Sequence, residues 1–504
     1  MKIRIRVLSV ILTACVLLTA VYYGMSGRTI SQPGENSVFS ANKTTIRLWY
    51  DDDSMTDYLK KEAVAYNETH RRVRMEPVLV SGLEYLENIN KASVDSKDFP
   101  DLFIITNDCL EKAYLAGLAT EIVNPSAALD EKTYPAAARE AVTYKKKYIA
   151  YPYYFETSSL LYNRTYLESS ARDAIEAEKD AASGEAAMAE LGDSGAASSD
   201  SSASATAGSS DEISQDEVNS RVQKMLPKTI SDILTFAENY NAPDDVEAVF
   251  KWDVSDIFYN YFFVGNYMNL GGSAGDDPDQ IDLYNEDAIR CMNVYQELNQ
   301  FFAIDSDDVS YDSIMKDFID GKIVYTVATT DALTRIRKAK EDGTCKFDFG
   351  VTTMPAINDQ YKTRTMSITN CIAVNGYSEH AQEAAAVAGY LCSQKNDDMF
   401  DMTGKVPVRE DVNHEDPNID AFVHVYAQSV PMPKMVGTSN FWVQMEIAFT
   451  QIWNGADAND TLKKLSEQIM TQVTGKTYTE EKLPDPSDIS LTNSTGYIDN
   501  GMNN

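Results

Sequence analysis

Apolar and polar positions in this chain alternate between two periods. Residues 45–50 form a strand-like run (Thr-Ile-Arg-Leu-Trp-Tyr) stopped by Asp51, Asp52 and Asp53. Tyr58, Leu59, Ala63 and Tyr66 then recur at helical spacing, and 74–80 predicts a second strand. A helix over 83–92, a strand over 99–105 and a helix over 110–117, closed by Gly117, complete the opening third. Strands and helices in this order predict a parallel sheet with helices on both faces.

The stretch from Lys147 to Asn163 departs from that rhythm. It reads as a strand ending at Pro152, where the missing N–H interrupts a ladder. An extended segment of Tyr153, Tyr154, Phe155 and Glu156 follows, then a short apolar strand over 159–162. Three successive rings beside one carboxylate suit a ligand-lined cleft better than a turn. Beyond it, residues 168–220 are rich in Ala, Ser, Gly and acidic residues. Within them 174–191 predicts a solvated helix, and 192–214 holds too little apolar surface to fold. Order returns with Thr229 or Ser231 as N-cap of a helix to Tyr240. The pattern then predicts a buried helix over 257–270, helices over 287–301 and 313–320, and strands over 322–328, 347–353 and 367–374. Helices over 379–391, 442–452 and 461–473 precede a polar tail.

A chain of 504 residues exceeds one compact core, so two lobes or more are expected. Acidic residues number 77 against 44 basic, a formal charge of -33, which excludes nucleic acid as a natural partner. Lys2, Arg4 and Arg6 precede an apolar run over 7–23, the pattern of an export segment. Three readings fit it: an uncleaved membrane anchor, a lipoprotein lipidated at Cys15 within Leu12-Thr13-Ala14-Cys15, or ordinary cleavage. All three place the body outside the cytoplasmic membrane. Beyond Cys15 the cysteines are scattered singly, which indicates neither a disulfide framework nor a zinc site.

Catalytic motifs are weak. Gly271-Gly272-Ser273-Ala274-Gly275 matches G-x-S-x-G, but Asp276-Asp277-Pro278-Asp279 follows where a nucleophile elbow needs a helix. No histidine pair, phosphate loop or dinucleotide fingerprint is present, so no enzymatic activity and no cofactor are expected. Carboxylates at strand ends carry more. Asp51 to Asp53, Asp108 and Glu156 lie where open α/β sheets bind ligands, outside the carboxyl ends of strands.

At this point the chain resembles the extracellular solute-binding proteins of ABC importers, of the maltose-binding-like carbohydrate class. The resemblance runs over about 45–473 and rests on landmarks in the family's order. These are Pro100-Asp101-Leu102-Phe103, Ala116 to Ile122, Ala150-Tyr151-Pro152 with Glu156 and Leu161-Tyr162-Asn163, Leu226-Pro227-Lys228-Thr229, Phe318 to Lys322, Phe349 to Pro355, and Phe441-Trp442. It implies an α/β, two-lobed fold of the periplasmic-binding-protein type II kind, with hinge crossings and a ligand cleft between lobes. The expected division is anchor or signal 1–28, tether 29–43, lobe 1 from 44–154 plus 372–415, and lobe 2 from 155–371 plus 416–476. Residues 168–220 are then an insertion in lobe 2, and 477–504 a tail.

The resemblance implies closure around a sugar and delivery to a membrane permease. Asp53, Asp108, Glu156 and Trp442 fall on positions that contact sugar in maltose binders. Thr106 and Asp331 stand where stacking tryptophans are expected, and Ser54 and Cys109 replace a lysine and an arginine. Tyr153, Tyr154 and Trp252 are the expected replacement platforms, and a sugar other than maltodextrin is expected. A membrane-tethered sensor passing its bound state to a signalling partner is the alternative, and an enzyme of carbohydrate metabolism comes third.

Overall fold

The computed structural model describes residues 43–95, 98–124, 128–192, 213–395, 398–412, 414–489 and 491. The expected anchor, Cys15, the tether up to residue 42 and most of the segment over 192–214 lie outside them. Among the described residues no helix is long and apolar enough to cross a membrane.

One ten-stranded sheet runs through the whole molecule. Its strands are β1 (Thr44–Tyr50), β2 (Val73–Leu79), β3 (Leu102–Thr106), β4 (Tyr151–Asn163), β5 (Ala248–Phe250), β6 (Ile323–Thr329), β7 (Phe349–Thr352), β8 (Met366–Val374), β9 (Val406–Pro407) and β10 (Val430–Pro431). The order is β2-β1-β3-β8-β4-β6-β5, with β7 and β9 also on β4 and β10 on β8. The predicted parallel β2-β1-β3 set is present, covered by the Thr56–Thr69 and Tyr85–Asp95 helices.

The centre of the fold is β4. Two strands with a break at Pro152 are expected there, and a single 13-residue strand is found. Pro152 is accommodated because the pairing slips beside it: Asn370 of β8 faces Tyr154, whereas Cys371 faces Pro152. Tyr153 is the extra residue of this bulge, and its carbonyl accepts from Val408 N–H at 3.2 Å instead. Through Thr157 the strand pairs with β8, and from Ser158 onward it pairs with β6 and β7. The change of partners falls at 157/158, a few residues beyond the break expected after 154.

Two hydrophobic cores flank this crossing. One gathers Ile46, Leu48, Tyr58, Phe103, Phe155, Ile372 and Phe422, and extends to the Tyr311–Ile319 and Asp331–Glu341 helices. The other gathers Leu160, Trp252, Phe263, Tyr295, Phe449 and Trp453. The predicted buried helix over 257–270 is instead two single 3-10 turns, Ile257–Tyr259 and Tyr261–Phe263. The side chains over 257–264 are buried as expected, but Asn260 donates to the carbonyls of Asp253 and Asp256 at 2.8 and 2.6 Å, holding a tight turn.

The insertion begins as the Arg164–Gly192 helix, ten residues earlier than predicted. Leu167, Ala171 and Ile175 pack against Val218 and Val222 of the Gln215–Met225 helix and join the second core. The tail is also docked over its described part. Ser466 donates to Glu480 at 2.6 Å, Asn459 to the Leu483 carbonyl at 3.0 Å, and Ile489 is buried.

Candidate functional site

The registers locate the cleft without reference to any ligand. β3 and β4 are both antiparallel to β8, so they run the same way, and the C-terminal end of β3 (Thr106) is level with Asn370 and hence Tyr154. β6 runs against β4, and its C-terminal residue Thr329 faces Ser158. The C-terminal strand ends of both halves therefore converge on 154–158. β1 and β5, parallel to β3 and β6 respectively, bring Asp51 to Asp53 and the loop after Phe250 to the same region.

On the first wall, Asp52 caps the 3-10 turn Asp53–Met55, accepting from Ser54 N–H at 3.0 Å and Ser54 Oγ at 2.6 Å. Ser54 thus serves the loop. Asp53 is exposed and accepts from Thr56 Oγ1 at 3.1 Å. Asp108 follows β3 in a 3-10 turn, and its Oδ1 is buried without a hydrogen-bond partner. Cys109 is pushed up to about 11 by burial and contacts Thr106 Oγ1 at 3.8 Å, so no charge replaces the expected arginine.

Glu156 and Tyr154 share one face of β4, as strand alternation requires. Both meet Lys405, a residue the sequence reading did not single out. Its Nζ lies 2.8 Å from Asp52, 3.5 Å from Glu156 and 5.6 Å from the Tyr154 ring centroid. Burial acts to raise the Asp52 carboxyl, but bonds from Lys405 and Ser54 overcome it and hold the group below its usual range. Asp51 feels Lys405 only through space, and burial outweighs that pull and pushes its carboxyl up. Lys405 is delivered by Gly404, whose φ of +74° few other residues adopt and whose added Cβ would lie 2.4 Å from Thr334 Oγ1. The only hint in sequence is Gly404-Lys405-Val406-Pro407, a glycine and a proline bracketing one charge.

Tyr153 points to the opposite face of β4. Its ring is buried by Tyr58, Leu391, Cys392 and Arg409, so it is a core residue and offers no platform. Trp252 is likewise removed from the cleft: fully buried, stacked on Phe250 at 4.4 Å, with its indole N–H donating to Asn260 at 2.8 Å. Tyr154 is also buried, 3% exposed with Lys405 over its ring, so it offers no open platform either. The three expectations fail for one reason: large rings in this chain mostly build its two cores.

In the second half of the fold Trp442 stands in the first turn of the Phe441–Trp453 helix, tilted against Phe258 at 5.7 Å. Tyr259 stacks on Tyr311 at 4.6 Å. Asp331 starts the Asp331–Glu341 helix, accepts from Tyr311 hydroxyl at 2.6 Å and pairs with Arg335 at 2.7 Å. Two further carboxylates, Asp256 and Glu446, also stand here; burial drives Asp256 up to about 6 and raises Glu446. Phe258 and Tyr259 went unpredicted because the 257–270 segment reads as plain core helix.

Among the described residues no group of His, Cys, Asp and Glu side chains is arranged to hold a metal ion. Residues 63–425 match the family model of the bacterial extracellular solute-binding protein. No curated protein matches by sequence. Solved structures do match in fold. An extracellular solute-binding protein from Staphylococcus aureus in complex with maltose shares 19% identity over 86% of this chain and 98% of its own, with a TM-score of 0.64. A cyclo/maltodextrin-binding protein complexed with maltotetraose gives 18%, 89%, 100% and 0.65. The maltose-binding periplasmic protein of Listeria monocytogenes, in complex with maltose, gives 18%, 87%, 100% and 0.63. The family match spans most of the chain, and these likenesses agree with its two-lobed architecture: the chain belongs to the bacterial extracellular solute-binding proteins.

Proposed function

We propose that this protein captures a sugar or oligosaccharide between its two lobes and delivers it to an ABC transporter permease. The observation that carries the reading is the convergence on Glu156 of one wall of carboxylates and one wall bearing Trp442 and Phe258. Carboxylates accept hydrogen bonds from ring hydroxyls, and aromatic faces cover the C–H faces of a pyranose. The solved structures of similar fold in complex with maltose or maltotetraose support the carbohydrate class. In this reading Asp53, Asp108, Glu156, Asp331 and Trp442 line the cleft, and the lobes divide at 157/158 on β4.

Isothermal titration of the purified chain against a panel of mono- and oligosaccharides tests the proposal. A sugar binder is expected. Silence toward every sugar, with binding of a peptide or polyamine, overturns it. Trp442→Ala is expected to weaken sugar binding severalfold, the scale of about 0.5–1.5 kcal/mol for an aromatic contact. The N-terminal segment is proposed to hold the protein at the outer face of the cell membrane, and mass spectrometry of the mature N-terminus decides whether Cys15 carries lipid.

A further inference from the structure

We infer that the end of the first lobe opposite the cleft is a docking surface for anionic lipid headgroups, formed by Lys43, Arg71, Arg72 and Arg74, and that it lays the body on the membrane with the cleft facing outward. The inference rests on the N-terminal segment holding the chain at the outer face of the membrane, as proposed above, and adds the orientation in which the body meets its ligand.

β1 and β2 run parallel and start together, with Thr44 paired to Val73 and Thr45 to Arg74. Thr44 N–H donates to the Arg72 carbonyl at 2.9 Å, which brings Lys43, Arg71, Arg72 and Arg74 to one corner of the sheet. All four side chains are exposed, and none makes an ion pair among the described residues. Arg47, further along β1, is by contrast paired with Asp98 at 3.3 Å. Over 43–47 and 70–76 the sequence holds five Lys and Arg against one acid, Glu76, in a chain of net charge -33. Charges on an edge strand such as β2 also deter pairing with another sheet. Lys43, Arg71 and Arg72 lie ahead of the paired register, however, where there is no ladder to protect.

This corner is where the N-terminal segment enters the body. Residues 24–42 join the apolar run over 7–23 to Lys43. Fully extended they reach at most about 65 Å. Each cation within a Debye length of an anionic leaflet, about 8 Å at physiological salt, strengthens adsorption about fivefold. On a chain already fixed to that surface, four such cations need only orient the body. β1 sets the orientation: its seven residues, at about 3.3 Å each, put the corner about 23 Å from Asp51 to Asp53. The carboxylate end therefore stands well beyond a Debye length from the surface, and any field that reaches it is repulsive. The cleft opens away from the membrane, and the joining residues are long enough for the body to lift and turn toward a permease.

The test reconstitutes the full chain by its N-terminal segment into vesicles of phosphatidylcholine, and into vesicles of equal parts phosphatidylcholine and phosphatidylglycerol, and follows amide hydrogen exchange. Residues 70–74 are expected to exchange at least about fivefold more slowly in the anionic vesicles, with 51–56 the same in both. Added salt should remove the difference, as should the variant carrying Arg71→Ser, Arg72→Ser and Arg74→Ser. Equal exchange over 70–74 in the two vesicles, with the chain anchored in both, overturns the docking surface and leaves the anchor standing. Slowing at 51–56 instead overturns the outward orientation. A chain that stays in solution beside either vesicle overturns the anchor itself. The two vesicles are compared on the unaltered chain, so the outcome is decisive even where the variant fails to fold.

Discussion

Lys405 shows how one side chain sets the electrostatics of a wall. It stands 2.8 Å from Asp52 and 3.5 Å from Glu156, all three partly screened from solvent. Lys405→Met should leave two carboxylates uncompensated and destabilise the protein by about 1–2 kcal/mol. That is less than the ~3–5 kcal/mol of a fully buried pair, because solvent reaches these groups. The sign with pH follows from Asp52, whose carboxyl is depressed in the fold. Its contribution is present above the ordinary aspartate range and is lost as pH falls through the depressed value. Denaturation of the two proteins should therefore differ most near neutral pH and converge in acid; a gap independent of pH would contradict the pairing. At this scale the sequence was partly legible. Asp53 and Asp108 fall just past the ends of β1 and β3 as the strand pattern predicts, Glu156 lies within β4 instead, and alternation puts Tyr153 and Tyr154 on opposite faces. Both rings end up buried, Tyr153 against Tyr58, Leu391 and Cys392 and Tyr154 under Lys405, and no local pattern shows that.

Among the elements, β4 and the segment after β10 carry the crossing between the two cores. Lys434 follows β10 and is buried, its ammonium donating to the Glu140 carbonyl at 3.2 Å and to the Ala274 carbonyl. Glu140 lies in a helix beside the first core, and Ala274 in the Gly271–Gly275 loop beside the second. That loop, resembling a nucleophile elbow only in spelling, seats itself on Pro433, where a Cβ on Gly275 would lie 2.8 Å from Pro433 Cα. Lys145 N–H to Asp276 at 2.5 Å adds a second tie. Burial lowers Lys434 to about 8 from the ordinary lysine value of 10.5, despite nearby Asp276, Glu140 and Glu111. Between those values the unfolded chain binds the proton more tightly, so stability should rise with pH across that window. Denaturation at about pH 7 and about pH 10 should show the native protein gaining on Lys434→Met, whereas parallel curves would place the ammonium in water. Nothing in the sequence foretold this contact, since it joins residues 160 and 294 positions apart. The strand-helix alternation of the first lobe was legible because its apolar periods are regular. The 257–270 turns were not, because a run of buried rings looks alike in helix and turn until Asn260 finds its carbonyls.

For the whole molecule, the placement of strand ends defines what ligand binding must do. The proposed carboxylate and aromatic walls belong to different halves of the fold, joined through β4, β8 and the short strand β10. A ligand touching both walls gains contacts only as they approach, and that difference in affinity is the whole of its power to shift the equilibrium between open and closed forms. Because β4 passes unbroken from one half to the other, the motion it permits is a bend near 157/158, where its partners change, and not a sliding of one half past the other. Small-angle scattering should accordingly show the radius of gyration falling on saturation with the bound sugar. Glu156→Gln and Trp442→Ala, one residue from the crossing and one from the second wall, should each raise the sugar concentration needed for that change without altering the unliganded curve. A ligand that binds in calorimetry yet leaves the scattering unchanged would mean that it engages a single wall, and closure would then be no part of how this protein works.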